Sequence, residues 1–124
     1  MRLVSLSARR CNTSECIRVF PKGVILGRGV CSRLGLKEGD YVGVFSDPDR
    51  KGDLYIGPAS SVKGYQLHRR GQQYHLNSRE LAKLILTETN ITPGESALFR
   101  VGESFDYDGM KVLPIISRIN YAHL

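Results

Sequence analysis

Cysteine is scarce in this chain and wrongly spaced for cross-linking. Cys11, Cys16 and Cys31 are three in number with no Cys-x-x-Cys pair, which suggests neither a disulfide framework nor a zinc knuckle and fits a reducing cytoplasm. Long apolar runs are missing too, because the opening stretch Met1 to Arg10 reaches Arg9 and Arg10 before any such run forms. That pattern argues against a transmembrane helix and against a secretory signal. Nor do the residues assemble a catalytic constellation. His68 and His75 have no cysteine or carboxylate partner at helical or strand spacing, and His123 lies near the C-terminus. Gly27-Arg28-Gly29 is too short for a phosphate loop, lacking the Gly-Lys-Ser/Thr that follows in one. Asp47, Asp49 and Asp53 imitate part of a calcium loop, but Arg50 and Lys51 intrude and no glutamate closes the ring. A turn is the simpler reading there, as it is for Asp106 to Gly109. The expectation is a protein without enzymatic activity, metal or cofactor.

What the chain does have is charge of one sign. Of its 124 residues 41% are hydrophobic and 24% charged, the composition of one compact domain spanning residues 1–124. A formal net charge of +6 sets up a positive surface field that favours phosphate polyanions and anionic membranes as partners, or simply keeps a small protein soluble; total charge alone does not separate these. The densest groups are Arg9 with Arg10, Arg18 with Lys22, and His68-Arg69-Arg70.

The chain also repeats itself. Val24 to Arg28, then Val30 to Leu34, Gly35-Leu36, Gly39-Asp40 and Tyr41 to Phe45, is echoed by Tyr74 to Ser78, Leu81 to Leu84, and Ile91 to Arg100. Extra residues sit around Ile85 to Asn90 in the second copy. Units this small seldom bury a core alone, so the two copies are expected to pack on each other. The repeats run over about 17–57 and about 65–118, joined by a surface linker at about 58–64 whose Pro, Ser and Gly content suits a connection.

Each copy reads as strand, short helix, strand, hairpin turn, strand. Ile17 to Phe20 and Val24 to Leu26 are strands around the turn Pro21 to Gly23, and Arg28 to Leu34 is a helix stopped by Gly35, with Leu36 folding back as the apolar contact of the cap. Tyr41 to Phe45 and Leu54 to Ile56 form a hairpin. In the second copy Gln72 to Leu76 is a strand, and Asn77 followed by Glu80 predicts a capped helix through Ile85 or Leu86. Ala97 to Val101 and Lys111 to Ile116 close the second hairpin, with Pro114 suited to a sheet edge. Phe45, Tyr55, Phe99, Phe105 and Tyr107 could form an exposed patch, the last two within the hairpin loop Glu103 to Gly109, although aromatics at strand positions are more often core. Cys31 is expected on the inner face of the first helix as a small core residue.

The phrase from Pro21 through Leu34-Gly35-Leu36 to Gly39-Asp40, followed by a strand, an acidic turn and a strand, resembles the AbrB/SpoVT family of swapped-hairpin DNA-binding domains. The tandem arrangement is similar to MraZ-type proteins, in which two copies share one polypeptide. The resemblance implies a mainly β fold with short helices, a pseudo-dimeric double-psi-type barrel, present as a monomer with internal pseudo-symmetry or as a homodimer. Where relatives place a proline after the first strand this chain has Gly27 and Asn77, and the helical arginine pair falls on Cys31 and Ser32. The family's role implies a cytoplasmic transcription regulator that binds double-stranded DNA. Its candidate contacts here are Arg18, Lys22, Arg28, Arg33, Arg69, Arg70, Arg79 and Lys83. Arg28 and Arg79 are the expected base readers, and the others neutralise phosphates. The competing expectation is a protein-interaction or assembly module on the same scaffold without DNA binding.

Overall fold

The computed structural model of the chain describes residues 13–92 and 95–119. A turn of 3-10 helix, Thr13–Glu15, leads into β1 (Cys16–Phe20) and β2 (Gly23–Gly27), then α1 (Arg28–Leu34), β3 (Tyr41–Asp47) and β4 (Arg50–Pro58). After the connection come β5 (Tyr65–Gln66), β6 (His68–Arg70), β7 (Gln73–Leu76), α2 (Arg79–Glu88), β8 (Ala97–Val101), β9 (Phe105–Tyr107) and β10 (Met110–Ile119). Two short helices amid so many strands make the fold mainly β, as expected.

All pairs are antiparallel, and the sheet runs β5-β3-β4-β10-β8-β1-β2-β7-β6 with β9 attached to β10. Its two terminal strands are separated along the chain by Leu67 alone. That residue is fully buried. Its N–H donates to the Asp40 carbonyl at 2.8 Å and its carbonyl accepts from the Gly39 N–H at 3.0 Å. The sheet therefore nearly closes into a barrel, which leaves few strand edges for other chains to pair with.

The closure follows from alternation. Ile17 and Val19 are buried while Arg18 between them is exposed, and Val24 and Leu26 are buried on β2. The inward set meets Leu67, Leu76, Ile56 and Leu113 in one cluster, into which α1 inserts Val30, Cys31 and Leu34 and α2 inserts Leu81, Ala82, Ile85 and Leu86. Each fully buried aliphatic side chain contributes about 1.5–3 kcal/mol. Both helices thus owe their stability to this core more than to their own short ladders.

Helix ends are set by local chemistry. Gly35 adopts φ 70° after α1, and the Leu36 N–H returns to the Cys31 carbonyl at 2.9 Å. This is the expected left-handed cap. On α2 the capping residue is Ser78, whose side-chain oxygen accepts from the Leu81 N–H at 3.0 Å, one position after the expected Asn77. The helix also continues to Glu88, where the Thr89 hydroxyl donates to the Ile85 carbonyl at 2.7 Å. Ser78→Ala should cost about 1 kcal/mol and Asn77→Ala only a few tenths. Urea unfolding of the two variants distinguishes the capping register.

Three expectations are corrected. Pro114 lies inside the sheet, opposite Tyr55 of β4, rather than at an edge. It is tolerated because β10 changes partner there: β9 pairs with it as far as Val112 and β8 from Ile115, while the Pro114 carbonyl accepts from Gly102 N–H at 2.8 Å. In an antiparallel ladder a residue's N–H and carbonyl point to the same neighbour, so the missing donor faces this gap and not β4. The first hairpin is longer than predicted, since β4 begins at Arg50 and only Pro48 and Asp49 remain in the turn. Among the aromatics Phe99 is core, but Phe45, Phe105 and Tyr107 are exposed.

Candidate nucleic-acid interface

Five neighbouring strands, β6, β7, β2, β1 and β8, contain no aspartate or glutamate. Their registers align the outward side chains into rows. Arg18 pairs with Ile25 on one side and Leu98 on the other, Ile25 pairs with His75, and His75 pairs with His68. In the adjacent row Arg70 pairs with Gln73, Gln73 with Gly27, and Cys16 with Arg100. The β1–β2 register sets Gly27 opposite Cys16 and so completes this row. Between the rows lies a shallow depression whose lining includes Arg18, Ile25, Gly27 and Gln73. Arg18, Arg70, Arg100 and His68 are exposed, whereas Cys16 and Leu98 are buried.

Among the described residues Arg18, Arg70 and Arg100 form no ion pair. The ion pair found there joins Arg33 to Glu15, the residue before β1, at 3.5 Å and engages none of the three. Arg70 and Arg100 stand at opposite ends of one row, four strand spacings or roughly 19 Å apart at the backbone. Arg18 sits between them in the neighbouring row. Lys22 is exposed in the β1–β2 turn, and Arg28, which follows β2 directly, donates to Gln72 Oε1 at 2.8 Å.

The fold thus gathers Arg18 and Arg70 of the expected contacts, with Lys22 and Arg28 at the margin. Arg69 is on β6 but is engaged locally: its N–H donates to Glu38 and its Nε to the Gly71 carbonyl at 3.1 Å. Arg33 is held by Glu15 and donates to the Gly102 carbonyl at 2.7 Å. Arg79 and Lys83 are exposed on α2, outside the five strands. Sequence reasoning had not assigned Arg100 or His75 to the site. Only the alternation of Ala97 to Val101, combined with the pairing of β8 to β1, could have found Arg100.

His75 is held below the ordinary imidazole range, first by burial and then by the charge of Arg70. The unfolded chain accordingly takes up the proton first as pH falls. The stability contributed by neutral His75 is present above the ordinary range and is lost on acidification towards the depressed folded value. Ring-proton NMR should place the His75 titration below that of a free histidine, Arg70→Ala should raise it, and the urea midpoint should fall as the pH is lowered from neutrality through the ordinary imidazole range.

Elsewhere the chemistry is quiet. Burial pushes the Cys31 thiol up to about 12, so it stays protonated and unreactive at neutral pH. Among the described residues no group of three or more His, Cys, Asp or Glu is placed to hold a metal ion. No helix among them is long and apolar enough to cross a membrane. Comparison with family models, with curated proteins and with solved structures finds no match for this chain.

Proposed function

We propose that this chain is a non-catalytic, duplex-DNA-binding regulator built as two swapped-hairpin units of AbrB-like type in one polypeptide. The observation that carries the reading is the face of five strands free of aspartate and glutamate that presents Arg18, Arg70 and Arg100, none of them ion-paired among the described residues. A span of roughly 19 Å between the flanking strands exceeds the ~12 Å width of a major groove. Arg70 and Arg100 then reach phosphates on opposite sides while Arg18, on β1 one strand in from Arg100, enters the groove and meets base edges. Lys22 and Arg28 extend the phosphate contacts at the margin. Relative to the expectation from the family pattern, base reading moves from Arg28 and Arg79 to Arg18.

The duplicated unit is supported by the symmetry of the strand pairing. Val24 pairs with Leu76 and Leu26 with Tyr74, while Ile25 faces His75, so the register exchanges residues of β2 with those fifty positions later. The exchange of β1 with β5 and β6 together, β2 with β7, β3 with β8 and β4 with β10 maps the order of neighbours onto itself. A dyad of that kind is what two copies of one unit produce on packing. Holding both copies in one chain makes their association intramolecular.

Fluorescence polarisation with a labelled duplex of about 20 base pairs tests the reading. Binding at micromolar concentration or tighter in 50 mM salt is expected, weakening linearly on a log–log plot against salt. Absence of binding at that salt would reject it. The second reading, an assembly module on the same scaffold, draws on the exposed aromatics Phe45, Phe105 and Tyr107. It predicts a dimer or larger species by light scattering and no salt-dependent duplex binding.

A further inference from the structure

The opposite side of the sheet has a different surface. Phe45 of β3 pairs with Tyr55 of β4, Phe105 of β9 with Val112 of β10, and Tyr107 with Met110. These side chains line a groove of about 500 Å³. Val112 is its buried floor, while Phe45, Phe105 and Tyr107 remain 39%, 42% and 66% exposed. Soluble proteins seldom leave contiguous aromatic surface uncovered without a use for it.

Two features of the groove select a ligand class. The Tyr55 and Phe105 rings meet nearly at right angles, with centroids 5.7 Å apart and planes inclined at 86°, so they form two adjoining walls. The charged residue in the lining is Asp47; Arg50, its register partner across the turn, is exposed and is not part of the lining. Asp47 is held in place by its own turn, Oδ1 accepting from the Asp49 N–H at 2.9 Å. Aromatic faces carry negative quadrupole potential, and a carboxylate at the rim adds to it. Anions are repelled by such a site, and a neutral apolar ligand gains nothing from Asp47.

We propose that this groove binds a small organic cation, a quaternary or alkylated ammonium head group seated against Tyr55, Phe105 and Tyr107 with its charge towards Asp47. The proposal is independent of DNA binding, since Arg18, Arg70 and Arg100 lie on other strands. The full chain is titrated with choline and, separately, with 3,3-dimethylbutan-1-ol, its neutral isostere of nearly the same shape, while ring and amide signals are followed by NMR. Choline is expected to shift the signals of Tyr55, Phe105 and Tyr107 with millimolar or tighter affinity, and the isostere to bind about tenfold more weakly. Asp47→Asn is expected to weaken choline by about threefold to tenfold, and Tyr107→Leu to remove saturable binding. Both positions are on the surface, and an unchanged amide spectrum verifies that each variant is folded; should one unfold, the other carries the test. Equal affinity for choline and its isostere would overturn the proposal and reduce the site to an apolar groove. No shift at about 50 mM choline, or shifts elsewhere that neither variant alters, would overturn it too.

Discussion

Replacing Arg18, Arg70 and Arg100 together by alanine lowers affinity for duplex DNA by two to three decades near 0.1 M salt and flattens its salt dependence. The size has two sources: Arg70 and Arg100 each neutralise a phosphate and contribute about 0.9 to the slope of log affinity against log salt, so their loss reduces that slope by about 1.8, while the base contact of Arg18 is worth about 1–3 kcal/mol. Extrapolated from 1 M salt, where phosphate contacts are nearly silent, to about 0.1 M, the 1.8 is a factor of about 60, and loss of Arg18 adds about a further tenfold. The control is a second triple, Lys63→Ala, Arg79→Ala and Lys83→Ala, with the same change in net charge at exposed positions outside the five strands. Screening over about 10 Å limits its influence on a duplex bound elsewhere, so a change within about threefold is expected. Equal loss from both triples would mean that DNA senses net charge alone, and the assignment of the face would fail. Testing Arg18→Ala alone against several duplex sequences then asks whether it reads bases. A base reader relaxes sequence preference, whereas a phosphate contact weakens all sequences alike.

Leu67→Ala should be the most damaging single truncation of an aliphatic side chain outside the helices. Leu67 is fully buried, and its backbone ties both terminal strands of the sheet to the turn at Gly39 and Asp40. A leucine-to-alanine change at such a site costs about 3–4 kcal/mol in lost transfer energy and residual cavity. For a domain of this size that lowers the melting temperature by roughly 11–15 °C. Leu84→Ala on α2, where the side chain is 51% exposed, should stay within about 0.5 kcal/mol of the parent. Thermal denaturation followed by circular dichroism decides between these values. A drop below 5 °C for Leu67→Ala would indicate that the barrel tolerates opening at this point.

The parts of the fold legible in the sequence were those written in local chemistry. Pro21 to Gly23, Gly35 and the alternation around Arg18 mark β1, β2 and α1 because turns, left-handed caps and strand faces depend on near neighbours. Asn77 and Ser78 are both good capping residues, so the choice between them rested on tertiary placement and came out one residue late. β5 and β6 were hidden for a different reason. Tyr65 to Arg70 is polar and charged on most positions, with Leu67 its single fully buried aliphatic residue, and one residue makes no period.

The candidate site divides in the same way. Arg18 and Arg70 stood out as local basic clusters, and both belong to the acid-free face. Arg100 acquires its place only because β8 lies beside β1, and nothing in the residues around it announces that neighbour. Arg79 and Lys83 were attractive as helical cations, yet α2 turns its apolar face into the barrel and both sit on the helix rather than on the five strands. The choice between core and exposed patch for the aromatics was not legible, because strand propensity reports a liking for the pleated sheet and is silent about which face meets water.

The pairing of β1 with β8 also bears on how the chain comes off the ribosome. Cys16 to Val19 of β1 meet Ala97 to Arg100 of β8, a separation of roughly 80 residues, among the costliest kinds of contact to form early. At translation rates of about 5–20 residues per second, β1 can hold β2 but must wait roughly 4–16 seconds for its second neighbour. During that interval one side of β1 is unpaired, and the nascent protein is open to the mispairing that the finished barrel is built to prevent.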